Sequence, residues 1–308
     1  MNSLDPAALD CLAALADELS FERAAQRLSI TQSAVSQRLR SLEAQVGQLL
    51  VVRSRPLRLS EAGQVLLRYA RQMQALRADA ARELGLRAAP QERLAIAVNA
   101  DSLATWVLTA LDPLVQQGLN LELVVDDQNF THDVLRQGEV LGCVSTVRQA
   151  LQGCWVTPLG KMVYVAAASP DFVRQRLPQG LTPANFAQTP FLVFNRKDDT
   201  QAHWVQEVFG LPSAPRLVQR LVPSSEAYVQ AIRRGWGVGV APRLQLEPLL
   251  ARGELVALHP EVTVEVHLYW HQWKLSREGL DGPVALLDQI GRALVAGAAQ
   301  ALEPVAAQ

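Results

Sequence analysis

The sequence predicts two structural classes in one chain: an N-terminal all-α winged helix-turn-helix with a long linker helix, and a C-terminal α/β part. Residues 20–43 form two short amphipathic segments joined by a tight turn. After residue 60, apolar residues recur at the three-four spacing of a coiled coil. From Arg93 onwards, apolar strand-like segments alternate with helical segments, which is typical of an α/β domain.

Residues 4–19 predict a first helix, because apolar residues recur on one side of it at helical spacing. This stripe consists of Leu9, Leu12, Leu15, Ala16 and Leu19. We expect this helix to pack beneath the two that follow.

The next helix is expected to begin after Ser20, which is placed to cap its N-terminus. Phe21, Ala24, Ala25 and Leu28 fall on one face at helical spacing. Because Ala24 and Ala25 are small, another helix can cross close to them.

A further helix follows the turn at residues 29–30, with Thr31 as its predicted cap. Val35, Leu39 and Leu42 point inward. The outward face is polar and comprises Gln32, Ser33, Ser36, Gln37, Arg38 and Arg40. A recognition helix in the DNA major groove requires such a face, although similar amphipathic helices also occur on ordinary protein surfaces.

The distribution of charge favours DNA binding. Between Arg23 and Arg77 the chain holds ten Arg, no Lys and two acids, whereas the whole chain has a net charge of -1. A local excess of this kind fits a phosphate backbone. Residues 1–92 carry +2 and the remainder -3, so a DNA partner would meet the N-terminal part alone.

A small hairpin is expected to close this unit. Residues 49–52 and 57–59 can pair around a tip at residues 53–56, which contains two arginines. A wing with a basic tip commonly lies along a phosphate strand or enters the minor groove.

A long linker helix is predicted from Ser60 to about Arg87. Its seam consists of Leu66, Tyr69, Met73, Leu76 and Ala80. We interpret the seam as a dimerisation surface, because two copies would then present two recognition helices with two-fold symmetry. The alternative is that this helix packs on its own C-terminal domain. Residues 88–90 end the helix and begin a hinge.

The C-terminal part is predicted to contain largely parallel strands. The predicted strands are residues 94–99, 121–127, 140–146, 162–169, 191–195, 217–222, 237–242 and 264–271. The predicted helices begin near Ser102, Thr131, Pro170, Thr200, Ser224, Arg243 and Gly279.

Residues 9–68 resemble the N-terminal domain of LysR-type transcriptional regulators, through SFERAAQRLSITQSAVSQRLRSLEAQVGQLLVVR followed by LSEAGQVLL. Two features resemble the ArgP/LysG subgroup, which controls export of basic amino acids. The chain has Leu-Val-Val-Arg at residues 50–53, where most of the family has Leu-Phe before the wing arginine, and Ser33, where Pro often follows the Gln. The DNA contacts that the resemblance implies, with Arg40 added from the same outward face, are Gln32, Ser33, Ser36, Gln37, Arg38, Arg40, Arg53 and Pro56.

The resemblance also implies a two-lobed effector-binding domain built like a type 2 periplasmic binding protein. The chain would cross between lobes after Lys161 and return near Val264, which makes a hinged cleft. We predict a DNA-binding domain over residues 1–59, a linker helix over 60–88, a hinge over 89–92, and an effector domain over 93–302, with one lobe at 93–162 and 266–302 and the other at 163–265.

An effector is expected beyond the carboxyl ends of the strands, where helix N-termini favour an anion such as an α-carboxylate. The same loops contain acids, among them Asp127, which would meet a cationic group of the effector. Each serine in these loops could instead serve only as a helix cap. The predicted effector residues are Asp101, Ser102, Thr105, Ser145, Thr146, Asn195, Asp198, Ser224, Ser225 and Glu226. The residues alone indicate a small polar molecule; the resemblance implies lysine or arginine.

Other motifs indicate no further chemistry. The glycines of residues 235–239 precede a strand, which favours a turn over a dinucleotide loop. His267 and His271 share one face of a strand without a third ligand, so we expect packed or partly exposed residues and no metal.

Length and composition set the remaining bounds. A chain of 308 residues can hold two or three units. The three cysteines, Cys11, Cys143 and Cys154, lack metal or disulfide spacing, so we expect buried thiols in a reducing cytosol. The N-terminus shows no secretory pattern and no apolar run could span a bilayer, so we expect a cytoplasmic protein without membrane contact.

We therefore expect a LysR-type transcription factor that activates a basic amino acid exporter gene and is not an enzyme, with no cofactor. Its expected partners are double-stranded DNA, lysine or arginine, further copies of itself in dimers and tetramers, and RNA polymerase. One alternative is a LysR-type regulator of another metabolic operon with a different small polar or carboxylate effector. The other is a small-molecule-binding protein or an enzyme that uses the C-terminal cleft.

Overall fold

The N-terminal unit is a helix-turn-helix on a supporting helix. The computed structural model describes residues 4–52, 54–84, 94–126, 131–274 and 283–304. Three helices open the chain: α1 (Pro6–Glu18), α2 (Phe21–Arg27) and α3 (Gln32–Val46). Their predicted caps are present: the hydroxyl of Ser20 accepts from the backbone N–H of Arg23 at 3.4 Å, and that of Thr31 from Ala34 at 3.2 Å.

A compact apolar core holds the three helices together. Leu9, Leu12 and Leu15 of α1 are almost fully buried against Val35, Leu39 and Leu42 of α3. Ala24 and Ala25 of α2 are buried as well, which confirms their predicted place at a close helix crossing.

The wing forms as predicted. Strands β1 (Val51–Val52) and β2 (Arg58–Leu59) pair in antiparallel register. The carboxylate of Glu43 on α3 accepts from the backbone N–H of Leu50 at 2.9 Å, which ties the wing to the recognition helix. Arg53 lies outside the described residues.

The linker helix α4 (Glu61–Glu83) begins one residue after Ser60, whose hydroxyl accepts from the backbone N–H of Gly63 at 3.0 Å. One face packs on α1. Arg71 donates to Asp17 at 2.5 Å, while Gln74 and Arg77 donate to Asp10 at 2.8 and 2.6 Å. The predicted extension to Arg87 lies partly outside the described residues.

The same helix also packs on the C-terminal part of its own chain. Arg71 donates to the carbonyl oxygen of Gly138 at 2.7 Å, and the guanidinium of Arg68 lies 5.7 Å from the ring of Trp273. The alternative that this helix packs on its own C-terminal domain therefore holds for one of its faces. That face contacts both the N-terminal unit and the C-terminal part.

The predicted seam is divided between two environments. Leu66 and Met73 pack against the N-terminal core, whereas Ala80 is exposed. Tyr69 and Leu76 are 47% and 41% exposed, and Leu84 is 75% exposed on the same side. A stripe of exposed apolar side chains thus remains on α4 opposite the face that packs within the chain.

The described residues of the C-terminal part form two β-sheets. The strands are β3 (Leu94–Asn99), β4 (Leu121–Asp126), β5 (Gly142–Ser145), β6 (Cys154–Ala168), β7 (Pro190–Val193), β8 (Val218–Leu221), β9 (Gly239–Pro242), β10 (Val256–Leu258) and β11 (Val264–Trp273). Seven strands form one sheet in the order β10-β6-β11-β5-β3-β4, with β9 also on β6, and β7 pairs with β8 in the other.

Helices cover these sheets. Residues 100–116 run as α5 (Ala100–Ser102), a π-helical segment (Leu103–Val107) and α6 (Leu108–Gln116). The others are α7 (Thr131–Gln137), α8 (Pro170–Arg176), α9 (Thr200–Phe209), α10 (Ser225–Arg233), α11 (Arg243–Ala251) and α12 (Pro283–Ala301). The helix α12 packs on α6, on the linker helix α4 and on the large sheet.

The expectation of largely parallel strands was wrong for the large sheet. Only β4 and β5 pair with β3 in parallel there, whereas β6 and β11 are antiparallel to each other and to their other neighbours. The strand β6 is also longer than predicted, and β10 was missed. A strand that is buried on both faces has the same apolar pattern whether it runs parallel or antiparallel to its neighbours. The sequence pattern therefore could not report the direction of these strands.

The two long strands connect the lobes. The strand β6 leaves the first lobe and β11 returns to it. The two strands pair from Tyr164 opposite Val264 to Cys154 opposite Trp273, with one register shift between Leu268 and Tyr269. A separate apolar cluster around Leu192, Ile232 and Leu246 marks the second lobe. The lobe boundaries given above fall near these crossings and stay predictions.

The three cysteines are buried free thiols, as expected. Burial raises the pKa of all three, that of Cys154 to about 12, so they remain protonated at neutral pH. None of the described helices is both long and apolar enough to cross a membrane.

The contact between the linker helix and the first lobe can be tested at Gly138. Gly138 and Gly118 both have positive φ, 76° and 94°, so an added side chain strains both backbones alike. A Cβ at Gly138 would lie 2.7 Å from Cα of Arg68, whereas a Cβ at Gly118 meets nothing within 4 Å. We expect Gly138→Ala to lower the free energy of unfolding by about 1–3 kcal/mol more than Gly118→Ala, measured by denaturant melts. Equal losses would show that the helix is not held there.

Candidate functional site

A cleft between the two lobes collects polar side chains from distant parts of the chain. Asp101, at the start of α5 in the first lobe, is its centre. Its carboxylate accepts from the hydroxyl of Tyr164 at 2.7 Å and from that of Ser225 at 2.6 Å. Because Ser225 belongs to α10 in the second lobe, one carboxylate joins both walls of the cleft. Gln245 lies beside Ser225, with 3.2 Å between their oxygens.

A second carboxylate, that of Asp198, organises the loop before α9. It accepts from the backbone N–H of Phe194 at 2.8 Å and of Thr200 at 3.1 Å, and from the amide of Gln201 at 3.1 Å. These three donors fix the carboxylate at the edge of the cleft, next to Lys197 and Asp199.

Tyr228 lies at the buried base of the cleft, on the side of the second lobe. Its hydroxyl donates to the carbonyl oxygen of Leu192 at 2.7 Å and accepts from Gln201 at 3.0 Å and from the N–H of Val240 at 3.3 Å. Burial raises the pKa of this hydroxyl well above its ordinary value. It therefore stays protonated and acts as a fixed polar group.

Two buried amide oxygens in the cleft lack donors. Oδ1 of Asn99 and Oε1 of Gln201 have no hydrogen-bond partner among the described residues, although both side chains are about 2% exposed. Buried polar atoms are usually paired, so an acceptor of this kind calls for a bound water or ligand. The lining holds three carboxylates against one Lys, and the cleft thus favours a cation rich in N–H donors.

The structure brings only part of the predicted effector set together. Asp101, Asp198 and Ser225 line the cleft. The predicted residues that do not line it are Ser102, Thr105, Ser145, Thr146, Asn195, Ser224 and Glu226.

Most of these seven residues have structural partners instead. The hydroxyl of Thr105 donates to the carbonyl oxygen of Asp101 at 2.6 Å, Ser145 accepts from the N–H of Val147 at 3.2 Å, and Ser224 caps α10. Asn195 accepts from the N–H of Lys197 at 2.7 Å. Glu226 is exposed, Thr146 is half-buried, and the hydroxyl of Ser102 is buried without a partner in the described chain. Asp127 lies outside the described residues.

The lining residues that are absent from the predicted set include Tyr164, Gln201, Tyr228 and Gln245. Tyr164 lies within an apolar strand segment and Tyr228 within an amphipathic helix, where an aromatic residue usually indicates core packing. The available signal was the polar tip of each tyrosine, because a buried hydroxyl needs a partner.

The outer face of the helix-turn-helix is open to solvent. Gln32, Ser33, Gln37 and Arg40 are exposed along α3, opposite the side that is buried on α1. Ser36 and Arg38 are half-buried, and a guanidinium nitrogen of Arg38 reaches to 4.0 Å from Sγ of Cys11. Pro56 is exposed at the wing tip, where its carbonyl oxygen accepts from the hydroxyl of Ser54 at 2.6 Å.

Neither of the other sequence motifs forms a site. The glycine-rich segment at residues 235–239 is a turn that leads into β9, as predicted. A register shift between Leu268 and Tyr269 separates the two strand histidines, so His267 is exposed whereas His271 is fully buried. His271 is therefore packed, as predicted, whereas His267 is more exposed than the packed or partly exposed position that the sequence predicted. Within the described ranges, no three His, Cys, Asp or Glu side chains are grouped to hold a metal ion.

The sequence and the fold both match known proteins. A family described as "Bacterial regulatory helix-turn-helix protein, lysR family" matches residues 6–64, and "LysR substrate binding domain" matches residues 87–281. A relative from Aeromonas salmonicida, "HTH-type transcriptional regulator ArgP", is 43% identical over 310 residues, which cover 99% of this chain and 100% of the relative.

Two solved structures extend the likeness to the full chain. ArgP from Mycobacterium tuberculosis is 38% identical with a TM-score of 0.84, over 98% of this chain and 100% of that one. Full-length LysG from Corynebacterium glutamicum "with bound effector Arg" is 36% identical with a TM-score of 0.74, over 97% and 100%.

A histidine pair in the first lobe, His132 and the fully buried His271, predicts a loss of stability in acid. The rings of His132 and His271 lie 5.1 Å apart, and burial lowers the pKa of both below the ordinary 6.5. The unfolded chain therefore binds more protons than the folded chain below about pH 6.5. The free energy of unfolding consequently falls as the pH drops through that value. We expect this fall to be shallower in His271→Gln, whose amide can still donate to the carbonyl oxygen of Val147.

The measurement is a series of thermal melts between about pH 5 and pH 8. His203→Gln is the matched control, because the His203 side chain is 55% exposed and pairs only at the surface, with Asp199. A slope with pH that is the same in His271→Gln as in the unchanged chain would contradict the prediction.

Proposed function

This chain belongs to the LysR family of bacterial transcriptional regulators, and from that premise we propose that it binds a basic amino acid in its interlobe cleft and controls a basic amino acid exporter gene. One observation carries the choice of ligand. The cleft has an excess of acceptors: two carboxylates held in place, at Asp101 and Asp198, and two buried amide oxygens without donors, on Asn99 and Gln201.

A cationic side chain suits this set of groups. An arginine guanidinium carries five N–H donors in a planar fork, and a lysine ammonium carries three. Arginine therefore matches the acceptors in number better than lysine does. The α-carboxylate of the same ligand can be met by Lys197 and by the N–H groups at the start of α9 and α10. LysG of C. glutamicum, a similar protein, carries arginine as its bound effector, which supports the proposal.

Ligand binding would act on the closure of the cleft. The hydrogen bond between Asp101 and Ser225 joins the two lobes. A cation at Asp101 competes for that carboxylate and adds contacts to Asp198 on the opposite side. The effector would thus favour one closure state, and the two states would differ in how they position the linker helix.

DNA recognition is assigned to the exposed face of α3 and to the wing. Gln32, Ser33, Gln37 and Arg40 are exposed on that face. We propose that they contact base edges or phosphates in the major groove. Ser36 and Arg38 flank that face and Pro56 lies at the wing tip. The contact roles of all eight residues, including that of Arg53, are proposals.

Two-fold symmetry is assigned to the exposed stripe of α4. Burial of Tyr69, Leu76 and Ala80 against a second copy would remove this exposed apolar stripe of the linker helix from water. Two such dimers would form a tetramer on DNA, and RNA polymerase is the proposed partner for activation.

The effector proposal predicts which carboxylates matter. We expect Asp101→Asn and Asp198→Asn each to weaken arginine binding by about tenfold or more, because each replaces a charged acceptor by a neutral amide. Isothermal titration of the full chain with arginine and lysine measures the dissociation constants. Asp112→Asn removes an exposed carboxylate on α6 and should bind as the unchanged chain does. No heat with either amino acid, or equal affinities in all variants, would reject a basic effector.

The DNA-binding proposal predicts a different response at two residues of one helix face. Arg40→Ala should weaken binding to all sequences and reduce the dependence of log K on log salt by about one, because one phosphate contact is lost. Gln37→Ala should instead relax the preference for operator over random DNA.

Fluorescence anisotropy with operator and random duplexes at several salt concentrations separates the two effects. Arg174→Ala is the control, since Arg174 pairs with Asp171 on the surface of the second lobe. A normal salt slope in Arg40→Ala would exclude a phosphate contact there.

A further inference from the structure

A second concavity lies on the surface of the second lobe and shares no lining residue with the interlobe cleft. It is formed where the end of α8, the strand β8 and the end of α10 meet. Four arginines line it: Arg176, Arg220, Arg233 and Arg234. The only carboxylate in this lining is that of Asp171, which already pairs with Arg174 outside the concavity.

Two of the four arginines are held by the protein. Arg220 donates to the carbonyl oxygen of Trp236, and Arg233 donates to Gln230 at 3.1 Å and to the carboxylate of Glu254. Hydrogen bonds from Arg252 and Arg233 hold the pKa of Glu254 below its ordinary value. These guanidinium groups therefore have defined positions before any ligand arrives.

The other two arginines have no such partner. The side chains of Arg176 and Arg234 are exposed and make neither a hydrogen bond nor an ion pair with the described residues. They face the same space as the two anchored guanidinium groups. Positive charge in the concavity is thus compensated only in part by the surrounding protein.

This concentration of charge is local. Residues 163–265 contain ten cationic and nine anionic residues, and four of the ten cations line this one concavity. The basic window that we assign to DNA lies in the N-terminal part instead. A general basicity of the lobe therefore does not explain the cluster.

We propose that this concavity binds a small polyanion, a molecule that carries two or more negative charges on phosphate or carboxylate groups. Guanidinium groups bind both kinds of oxyanion through paired N–H donors. The two anchored arginines lose little side-chain entropy on binding, and the two unpaired ones can close over the anion. Gln175 and Gln188, in the same lining, supply further amide donors. The regulator would then respond to an anionic metabolite at a site separate from the effector cleft.

The test is isothermal titration of the full chain with inorganic pyrophosphate and, in a separate arm, with citrate, at about 0.15 M salt to limit non-specific attraction. We expect saturable binding of at least one of them and a loss of affinity of about tenfold or more in the double variant Arg176→Gln, Arg234→Gln. Stronger binding of pyrophosphate would indicate a phosphate ligand, and stronger binding of citrate a carboxylate ligand.

A matched variant, Arg216→Gln with Arg243→Gln, removes two positive charges from the same lobe outside the concavity and should bind the anion as the unchanged chain does. Arg176, Arg216 and Arg234 are exposed, whereas Arg243 is half-buried and pairs with Glu303 at 2.9 Å. Thermal melts therefore establish that both double variants are folded. The site is overturned if the unchanged chain binds neither anion saturably, or if both double variants bind it equally. Equal binding would place the anion elsewhere, for instance on the DNA-binding domain.

Discussion

The guanidinium group of Arg71 joins the three parts of this chain at one point. It donates to Asp17 on α1 of the DNA-binding domain and to the carbonyl oxygen of Gly138 on the first lobe, from its own position on the linker helix. Asp17 also accepts from Arg27 of the helix-turn-helix at 2.7 Å. Because Gly138 has no side chain, the two backbones approach closely beside this contact. The orientation of the recognition helix therefore depends on how the first lobe lies against α4.

This arrangement determines how a ligand could act at a distance. The cleft and the recognition helix share no residue, but the first lobe contacts the linker helix through α7, α12 and Trp273. A change in cleft closure that shifts the first lobe would be transmitted through these packed contacts. Transmission of this kind needs two discrete arrangements. We propose that they differ at the hydrogen bond between Asp101 and Ser225, which is formed in one arrangement and replaced by ligand contacts in the other.

One face of the linker helix packs within the chain, and the other carries an exposed apolar stripe. For this reason its apolar periodicity fitted both dimerisation and packing on its own C-terminal domain. Leu67 and Ala70 are buried within the chain, whereas Tyr69 and Leu76 are exposed. The three-four spacing identified an apolar helix correctly. It could not tell which side meets α1, since both sides carry apolar residues.

Local features of this protein were determined by the sequence by itself. The caps at Ser20 and Thr31, the inward leucines of α3 and the wing depend on neighbours within a few residues, so short-range patterns report them. The cleft was decided only by the tertiary structure. Asp101 meets Tyr164 and Ser225 across separations of 63 and 124 residues, and the antiparallel course of β6 and β11 brings them together. Strand direction and such distant pairings depend on the path of the whole chain, which no local pattern encodes.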